Sequence, residues 1–497
     1  MAFSNPTIAA ISTPRGSGGV AMIRISGPGA LDIAARVFAP AAGPPISESQ
    51  ERRLRLGSVI CRGRVIDTGM LAVFRAPHSY TGEDVAEIYC HGGEYLTALV
   101  LQSALEAGAI PAMAGEFTQR AYLNGKLTLT QAEALGLALG ARTDAAVLLA
   151  AEQSGANAAL LGEIEALYER LLSAVSALWA CIDYPEEDLD EPSSAKLQVQ
   201  MDEIARECRR IAGTYDLGRA VCGGVRTTIC GRPNAGKSTL MNALCGSARS
   251  IVTDIAGTTR DVVEHEARLG AGGSILLKLA DTAGLRAVQA DDPIEQIGVG
   301  LAEERIVEAE LLLPVFDGSS GPDGADELTV KLCARSGAPC IAVFTKADLF
   351  LRGRDAEDVV PYNGKDHRDE YNALFKQTGL APAEALALDA RDGAAVRDAI
   401  GDVLDRLYGN DGTLSLQADA PAARRSAGIV ASARQYAALV RCAEALERAV
   451  AALAGGMPPD VAAQDAEEAM GALGECCGRV VREDIVGEIF KNFCVGK

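Results

Sequence analysis

The sequence predicts a multidomain α/β protein with an N-terminal α+β domain, a discontinuous α-helical bundle and an inserted domain built on a doubly wound sheet. Its 497 residues are too many for one hydrophobic core, and the length suggests about three domains. The middle of the chain contains several apolar runs, each followed by a phosphate-loop-like or Asp-containing segment. On both sides of this region lie Ala/Leu-rich segments with helical periodicity. We expect domain segments at residues 1–126, 127–221, 222–408 and 409–497. The second and fourth would form one bundle, because insertion at a loop suits a domain whose termini lie close together.

The N-terminal segment contains two strand-like runs, the second of which covers residues 20–26 and places Arg24 on one face. Polar residues recur later in this segment, among them Glu87, His91 and Lys126. Composition alone favours a solvated surface ion network for Arg24, Glu87 and Lys126. By the same reasoning His91 is expected to be a turn or packing residue.

The helical pattern begins near Leu127, where Thr130 to Glu133 reads as a capping box, and continues to Trp179. A Pro-bounded acidic stretch over residues 185–192 breaks it and is expected to be an exposed loop. Further helices are predicted over residues 199–217, 426–453 and 459–492.

The most informative stretch is Gly231-Arg-Pro-Asn-Ala-Gly-Lys-Ser238, between an apolar, β-branched run and a helix-like segment. A Gly-x4-Gly-Lys-Ser loop in this position wraps a phosphate chain with backbone N–H groups, and the helix N-terminus adds its positive end. Lys237 is expected to reach the β- and γ-phosphates, and Ser238 to hold Mg²⁺. The loop therefore predicts a nucleoside triphosphate site.

Three later motifs indicate which nucleotide binds: Gly257-Thr-Thr-Arg-Asp261, Asp281-Thr-Ala-Gly284 and Thr345-Lys-Ala-Asp348. Asp281 suits a water-mediated Mg²⁺ contact, Gly284 a bond to the γ-phosphate, and Thr259 the Mg²⁺ shell. Asp348 can accept two hydrogen bonds from guanine that adenine cannot supply. Together the motifs predict a Ras-like P-loop GTPase domain.

The predicted GTP-binding residues are Asn234, Ala235, Gly236, Lys237, Ser238, Thr239, Thr253, Asp254, Ile255, Ala256, Gly257, Thr258, Thr259, Asp281, Thr282, Ala283, Gly284, Thr345, Lys346, Asp348, Asp389, Ala390 and Arg391. Two positions depart from the usual pattern. Thr345 stands where Asn is usual, and Asp389-Ala-Arg391 stands where a Ser-Ala-x loop is expected. These departures affect how tightly the base is expected to bind. They do not change the prediction that the base is guanine.

Hydrolysis poses a separate question, because Gly284 is followed by Leu285 and the water-orienting Gln of Ras-type proteins is missing. Another carboxylate or amide, and another source of positive charge, must then act. Asn234 and the stretch 253–258 could cradle a monovalent cation beside the phosphates, and a plain switch loop is the equally weighted alternative.

Composition limits the setting in which the protein works. No run of 18 apolar residues appears, and the N-terminus lacks a basic region followed by an apolar one, so we expect a cytoplasmic protein without membrane contact. The thirteen cysteines show no metal-binding spacing. A net charge of −20 argues against a long groove that follows nucleic-acid phosphates, so a nucleic-acid substrate would need a local patch or a partner.

The combined motifs, with Phe493-Cys-Val-Gly-Lys497, resemble the MnmE (TrmE) family of tRNA-modification GTPases. The resemblance covers the whole chain, including residues 13–19, 82–85 and 182–187. Val495 replaces the usual Ile of the C-terminal motif and leaves Cys494 and Lys497 in place.

The resemblance implies an N-terminal domain that forms a homodimer and binds tetrahydrofolate through Arg24, Glu87, Lys126 and Lys497, which replaces the surface-network interpretation. It implies K⁺ at Asn234, Thr253, Ile255 and Thr258, and Mg²⁺ at Ser238 and Thr259. K⁺ would promote dimerisation of the GTPase domains and supply the missing charge. The implied catalytic residues are Lys237, Asp281 and the water-orienting Glu295, which follows about two extra residues in this chain.

The resemblance also implies a partner and a reaction. With an FAD-containing MnmG-type protein, in a heterotetramer or larger assembly, such a GTPase places a carboxymethylaminomethyl or aminomethyl group on C5 of the wobble uridine of tRNA. A 5,10-methylene- or 5-formyl-tetrahydrofolate supplies the carbon. Cys494 is either a functional thiol or a structural residue. One alternative function is a GTP-dependent switch in ribosome assembly without modification chemistry. A second is an enzyme whose folate site serves other one-carbon chemistry.

Overall fold

A computed structural model describes residues 6–14, 16–49, 51–155, 159–183, 191–246, 265–281, 303–350, 367–409, 428–479 and 496. The chain divides into two compact units. Unit 1 comprises residues 1–136, 153–156 and 474–497, and unit 2 comprises residues 137–152 and 157–473. The four-segment division expected from sequence stays a prediction.

Unit 1 is built on a seven-stranded sheet with the strand order β3-β4-β5-β6-β2-β1-β7. Neighbouring strands are antiparallel except β1 and β7, which are parallel. The strands are β1 (Ile8–Ile11), β2 (Gly18–Ser26), β3 (Phe38–Pro40), β4 (Arg55–Cys61), β5 (Arg64–Phe74), β6 (Val85–Gly92) and β7 (Ile110–Pro111), and the helices are α1 (Ala30–Val37), α2 (Glu94–Glu106) and α3 (Glu116–Leu123).

Strand β2 shows how the sequence directs this sheet. Ala21, Ile23 and Ile25 alternate with less buried residues and enter a core shared with α1 and α2. Because successive side chains of a strand point to opposite faces, Arg24 is directed away from that core. The predicted second strand over residues 20–26 is therefore present, with two residues added at its start.

Unit 2 contains a six-stranded sheet with the strand order β13-β12-β11-β8-β10-β9. All neighbours are parallel except β9 and β10. The strands are β8 (Val225–Cys230), β9 (His265–Leu269), β10 (Ile275–Asp281), β11 (Leu311–Asp317), β12 (Ile341–Thr345) and β13 (Glu384–Ala387). Every residue of β11 is buried, as expected for a parallel strand covered on both faces.

The remaining labelled helices are α4 (Leu129–Gly140), α5 (Asp144–Ser154), α6 (Ala159–Asp183), α7 (Glu191–Ala212), α8 (Tyr215–Gly223), α9 (Lys237–Cys245), α10 (Gly324–Ser336), α11 (Ala347–Phe350), α12 (Arg368–Thr378), α13 (Gly393–Tyr408), α14 (Ala433–Ala454) and α15 (Pro459–Cys477). One sheet face packs on α9 and α13, and the other packs on α10 and α12. Within the described ranges, no helix is both long and apolar enough to cross a membrane.

Three helix boundaries differ from the sequence expectation. The reciprocal capping bonds join Thr128 and Gln131, and Thr130 already lies inside α4, because the cap residue precedes the first helical turn. The helix predicted over 199–217 is two helices, α7 and α8, separated at residues 213–214. Helix α14 begins only after Ser432, whose side chain caps it.

Candidate functional site

The loop after β8 is shaped by glycine. Gly231 and Gly236 have φ values of 146° and 99°. A Cβ at Gly231 would lie 2.3 Å from the carbonyl oxygen of Val315, and one at Gly236 would lie 3.1 Å from the Thr345 side chain. Asn234 has a φ of 61°, a left-handed conformation that Asn tolerates better than most residues. The loop is therefore held tightly against the carboxyl ends of β11 and β12.

Lys237, the first residue of α9, is buried beneath this loop. Its Nζ donates to the carbonyl oxygens of Gly231 at 3.0 Å and Arg232 at 2.9 Å. The ammonium group thus lies at the helix N-terminus, inside the curve of the loop. Positive charge at a helix N-terminus favours an anionic phosphate.

Arg232 anchors the same loop to α10, and no sequence motif predicted this. Its guanidinium forms ion pairs with Asp323 at 3.0 Å and with Asp326 at 3.2 Å, and it also donates to Ser320. Asp326 is fully buried and accepts a hydrogen bond from Tyr371 at 2.9 Å. Burial raises the pKa of the Asp326 carboxyl, even though Tyr371 and Arg232 stabilise its anion. In the sequence, this network shows only as two separated aspartates, Asp323 and Asp326, after β11.

Thr345 and Lys346, at the end of β12, complete the packing of the loop. The Thr345 hydroxyl is buried and lies 2.5 Å from the carbonyl oxygen of Ala235 and 3.2 Å from that of Phe316. Lys346 has a φ of 60°, and its Nζ donates to Asp317 at 2.5 Å. The threonine therefore ties the end of β12 to the phosphate loop at the position where an Asn was expected.

Arg391 lies between two carboxylates that follow β12 and β13. Its guanidinium is 2.8 Å from Asp348 and 2.7 Å from Asp389. The hydrogen bond from Arg391 lowers the pKa of Asp389, and the same bond raises the pKa of Arg391. Both carboxylates are about one-third exposed, so solvent screens these pairs.

These segments enclose a cavity of about 550 Å³. It is lined by Asn234, Gly236, Lys237, Ser238, Thr239, Thr345, Lys346, Asp348, Asp389, Ala390 and Arg391. The structure thus brings together sequence-predicted positions from three separate stretches of the chain. Ala235 is buried within the same loop. The backbone of Asp281 ends β10 in register with Ile229 of β8, next to the loop.

The remaining predicted positions of this site lie outside the described residues. They are Thr253, Asp254, Ile255, Ala256, Gly257, Thr258, Thr259, Thr282, Ala283, Gly284 and Glu295. Cys494 and Lys497 also lie outside them.

Unit 1 places Arg24 and Glu87 directly opposite each other on β2 and β6. They form an ion pair at 2.9 Å, with side-chain exposures of 15% and 10%. Glu87 also accepts a 2.6 Å bond from the Tyr89 hydroxyl, and burial together with this bond raises the pKa of Tyr89 to about 12. The Arg24 guanidinium lies 5.2 Å from the ring centroid of Tyr80. The solvated network suggested by composition is therefore wrong for this pair.

The Lys126 Nζ donates to the carbonyl oxygen of Pro77 at 3.0 Å. Gly496, next to Lys497, approaches the start of the same unit: its carbonyl oxygen accepts a 2.7 Å bond from Ser12. A Cβ at Gly496 would lie 2.1 Å from the carbonyl oxygen of Ile11, so the backbone packs closely there.

His91 near the end of β6 is exposed, with its Nδ1 2.7 Å from Asp67. Asp67 also accepts a 2.9 Å bond from the His91 backbone N–H. Burial alone would raise the pKa of Asp67, but the bonds from His91 and Thr68 outweigh burial and lower it. The turn or packing role expected for His91 is wrong, because the residue lies within β6 and its side chain is exposed. Its partner Asp67 lies 24 residues earlier, where no local pattern reveals it.

Comparison with known proteins gives matches along nearly the whole chain. Residues 7–126 match the family model for the GTP-binding protein TrmE N-terminus, and residues 129–494 match that for the MnmE helical domain. The tRNA modification GTPase MnmE of Heliobacterium modesticaldum is 38% identical over 493 residues, covering 99% of both chains. That of Chloroflexus aurantiacus is 39% identical over 494 residues, covering 99% of this chain and 100% of its own. That of Moorella thermoacetica is 37% identical and covers 99% of both chains.

Proposed function

The chain belongs to the MnmE family of tRNA modification GTPases, and from this premise we propose that it hydrolyses GTP in the modification of tRNA. The observation that carries the proposal is the shared cavity. Lys237, suited to phosphate, and Asp348, suited to guanine, line one space of about 550 Å³ at the carboxyl ends of parallel strands. This is where open α/β sheets bind their ligands.

Each end of the cavity has chemistry for one part of GTP. At one end, the Lys237 ammonium stabilises charge that develops on the β- and γ-phosphates. At the other end, we propose that Asp348 accepts hydrogen bonds from guanine N1–H and the exocyclic amine, and that Ala390, which also lines the cavity, lies near the base. Asp281 and Glu295 are proposed to help place Mg²⁺ and the attacking water, respectively.

The residues present suit the proposed cations. Ser238 lines the cavity beside Lys237, and its hydroxyl is an oxygen ligand of the kind that Mg²⁺ prefers. Thr259 would supply a second oxygen. Asn234 also lines the cavity, and its side-chain amide oxygen is a suitable ligand for K⁺. A K⁺ ion there would add positive charge near the phosphates. Thr253, Ile255 and Thr258 are the proposed further K⁺ ligands.

In the N-terminal unit we propose a tetrahydrofolate site that includes Arg24, Glu87, Lys126 and Lys497. The Arg24–Glu87 pair is largely buried and lies beside the Tyr80 ring, which suits a flat heterocycle with polar edges. This chain and an FAD-containing MnmG-type partner would together transfer the one-carbon unit to the wobble uridine. We also propose that the protein acts as a homodimer. A basic partner surface for tRNA agrees with the net charge of −20 on this chain, which leaves few phosphate-binding groups of its own.

The first test is GTP turnover by the full chain in KCl and in NaCl at matched ionic strength. We expect strong stimulation by K⁺, loss of that stimulation in Asn234→Ala, and a loss of at least about 100-fold in kcat/KM in Lys237→Ala. Lys331→Ala is the matched control, because Lys331 forms only an exposed pair with Glu327 on α10. Equal, slow turnover in both salts would refute the K⁺ proposal and favour a plain switch loop.

The second test separates modification from a switch that acts without it. Deleting the gene should remove the C5 modification of the wobble uridine, as measured by mass spectrometry of tRNA nucleosides. Restoration by wild type but not by Lys237→Ala would tie the modification to GTP. An unchanged nucleoside profile would contradict the proposed function.

A further inference from the structure

The base end of the cavity carries an arginine that shares the carboxylate proposed to bind guanine. The terminal nitrogen of Arg391 lies 2.8 Å from Asp348 and 2.7 Å from Asp389. Arg391 is itself 67% exposed, so nothing but these two carboxylates holds its side chain among the described contacts. Its positive charge offsets two negative charges that face the same space.

The two contacts of Arg391 differ in kind. Asp389 holds the guanidinium through two parallel bonds, at 2.9 Å and 2.7 Å, and also accepts the Arg391 backbone N–H at 3.0 Å. Asp348 lies 2.8 Å from the terminal nitrogen, which Asp389 also contacts. Because two-bond pairing is the stronger geometry, the guanidinium can leave Asp348 while it stays on Asp389.

The acceptor that Arg391 engages is the one a guanine base requires. Guanine offers N1–H and an exocyclic amine, which together require both oxygens of a carboxylate. An Asp348 oxygen that already accepts a bond from Arg391 is less available to the base. On the basis of the proposed GTP site, we propose that Arg391 competes with guanine for the Asp348 carboxylate and lowers the affinity of this site for guanine nucleotides.

This competition depends on the base. A nucleotide whose base contacts Asp348 must first displace the terminal nitrogen of Arg391, so its measured affinity is reduced by the stability of that contact. Adenine has an acceptor at N1 and cannot replace the lost bonds, so an adenine nucleotide gains nothing from removal of the arginine. Inosine retains N1–H and should respond in the same direction as guanine.

The energy at stake is that of a partly exposed ion pair, which corresponds to about a two- to fivefold change in an equilibrium constant. The change should appear mainly in dissociation, because related complexes differ more in their off-rates than in their on-rates. Arg391 therefore speeds release of the guanine product without touching the phosphate end of the cavity.

The experiment measures the dissociation constants of GDP, IDP and ADP for the full chain by calorimetry, with wild type, Arg391→Ala and Arg391→Lys. We expect Arg391→Ala to bind GDP about two- to fivefold more tightly and to leave ADP binding unchanged. The GDP dissociation constant of Arg391→Lys should fall between those of wild type and Arg391→Ala, since an ammonium keeps the charge but lacks the planar fork of the guanidinium. Arg406→Ala is the matched control, because Arg406 is an exposed arginine of α13 paired with Glu384.

Salt gives a second measure. Added choline chloride should reduce the difference in GDP dissociation constant between wild type and Arg391→Ala, because the salt screens the exposed ion pair. GDP binding that is unchanged or weaker in Arg391→Ala would overturn the inference, while GDP binding by wild type would keep the proposed function. If wild type binds no GDP, the proposed function fails and this inference fails with it.

Discussion

The two sheets of this protein carry their polar residues in different places. In the mainly parallel sheet of unit 2, the residues of the cavity lie at or after the ends of β8, β12 and β13. In the mainly antiparallel sheet of unit 1, Arg24 and Glu87 lie within β2 and β6 and meet only through the pairing register. The first arrangement is local in sequence and readable as motifs, whereas the second depends on how distant strands align.

The two sites are also stabilised by different interactions. Arg24 and Glu87 depend on each other, because the charge of each is largely removed from water and must be compensated. The phosphate loop depends instead on backbone conformation and on the close approach of Gly231 to β11. Substitutions in one sheet should therefore leave the other site intact, and the following predictions test that independence.

The largest effect is expected in unit 1. Arg24→Met leaves Glu87 as a buried, uncompensated charge and should lower the free energy of opening of β2 and β6 by about 3 kcal/mol. Hydrogen exchange read by mass spectrometry measures this locally. The double variant with Glu87→Leu should recover most of the loss, and Arg62→Ala, in an exposed pair with Glu106, should change little. A change in GDP affinity would contradict the independence of the two sites.

Next in size is the phosphate loop itself. Gly231→Ala introduces a Cβ 2.3 Å from the Val315 carbonyl oxygen at a φ of 146°, so it should destabilise the loop by about 2 kcal/mol and weaken GDP binding at least tenfold. Gly337→Ala is the control, since φ is also positive there at 70° but no atom lies within 4 Å of the added Cβ. Equal effects in both variants would assign the loss to backbone conformation alone.

A smaller effect should follow from the tie between β12 and the loop. Thr345→Val removes the hydroxyl that bonds to the carbonyl oxygen of Ala235, and the unpaired buried acceptor should cost about 1 kcal/mol, or about fivefold in the GDP dissociation constant. Thr329→Val removes a buried hydroxyl that bonds within its own helix, and it should leave GDP binding unchanged. Unaltered binding in Thr345→Val would show that packing alone holds the loop.

The smallest effect concerns Asp67 and pH. Its pKa in the folded protein is lowered, so the stability it contributes is present above the unfolded value of about 3.9 and is lost as pH falls through the folded pKa. Because His91 is exposed, we expect Asp67→Asn to cost less than about 1 kcal/mol at pH 7. Hydrogen exchange of β5 and β6 should show this difference at pH 7, and the difference should shrink below pH 4.

The sequence predicted the parallel-strand segments, the phosphate loop and the base-reading motif because each depends on residues close together in the chain. It missed the Arg232 network, since Asp326 lies on another helix and its burial depends on the packing of Tyr371. It misplaced the cap of α4, because both Thr128 and Thr130 are followed three residues later by a suitable partner. Only the helix start, fixed by packing, distinguishes them.

The contact between Ser12 and Gly496 closes a loop of 484 residues inside one unit. A ribosome adds about 5–20 residues per second, so this contact cannot form until roughly 25 to 100 seconds after Ser12 has been made. During that interval Ser12 lacks its distant partner, while the whole sheet of unit 2 is synthesised. The contact is thus among the last that unit 1 can make, after all seven strands of its own sheet have been synthesised.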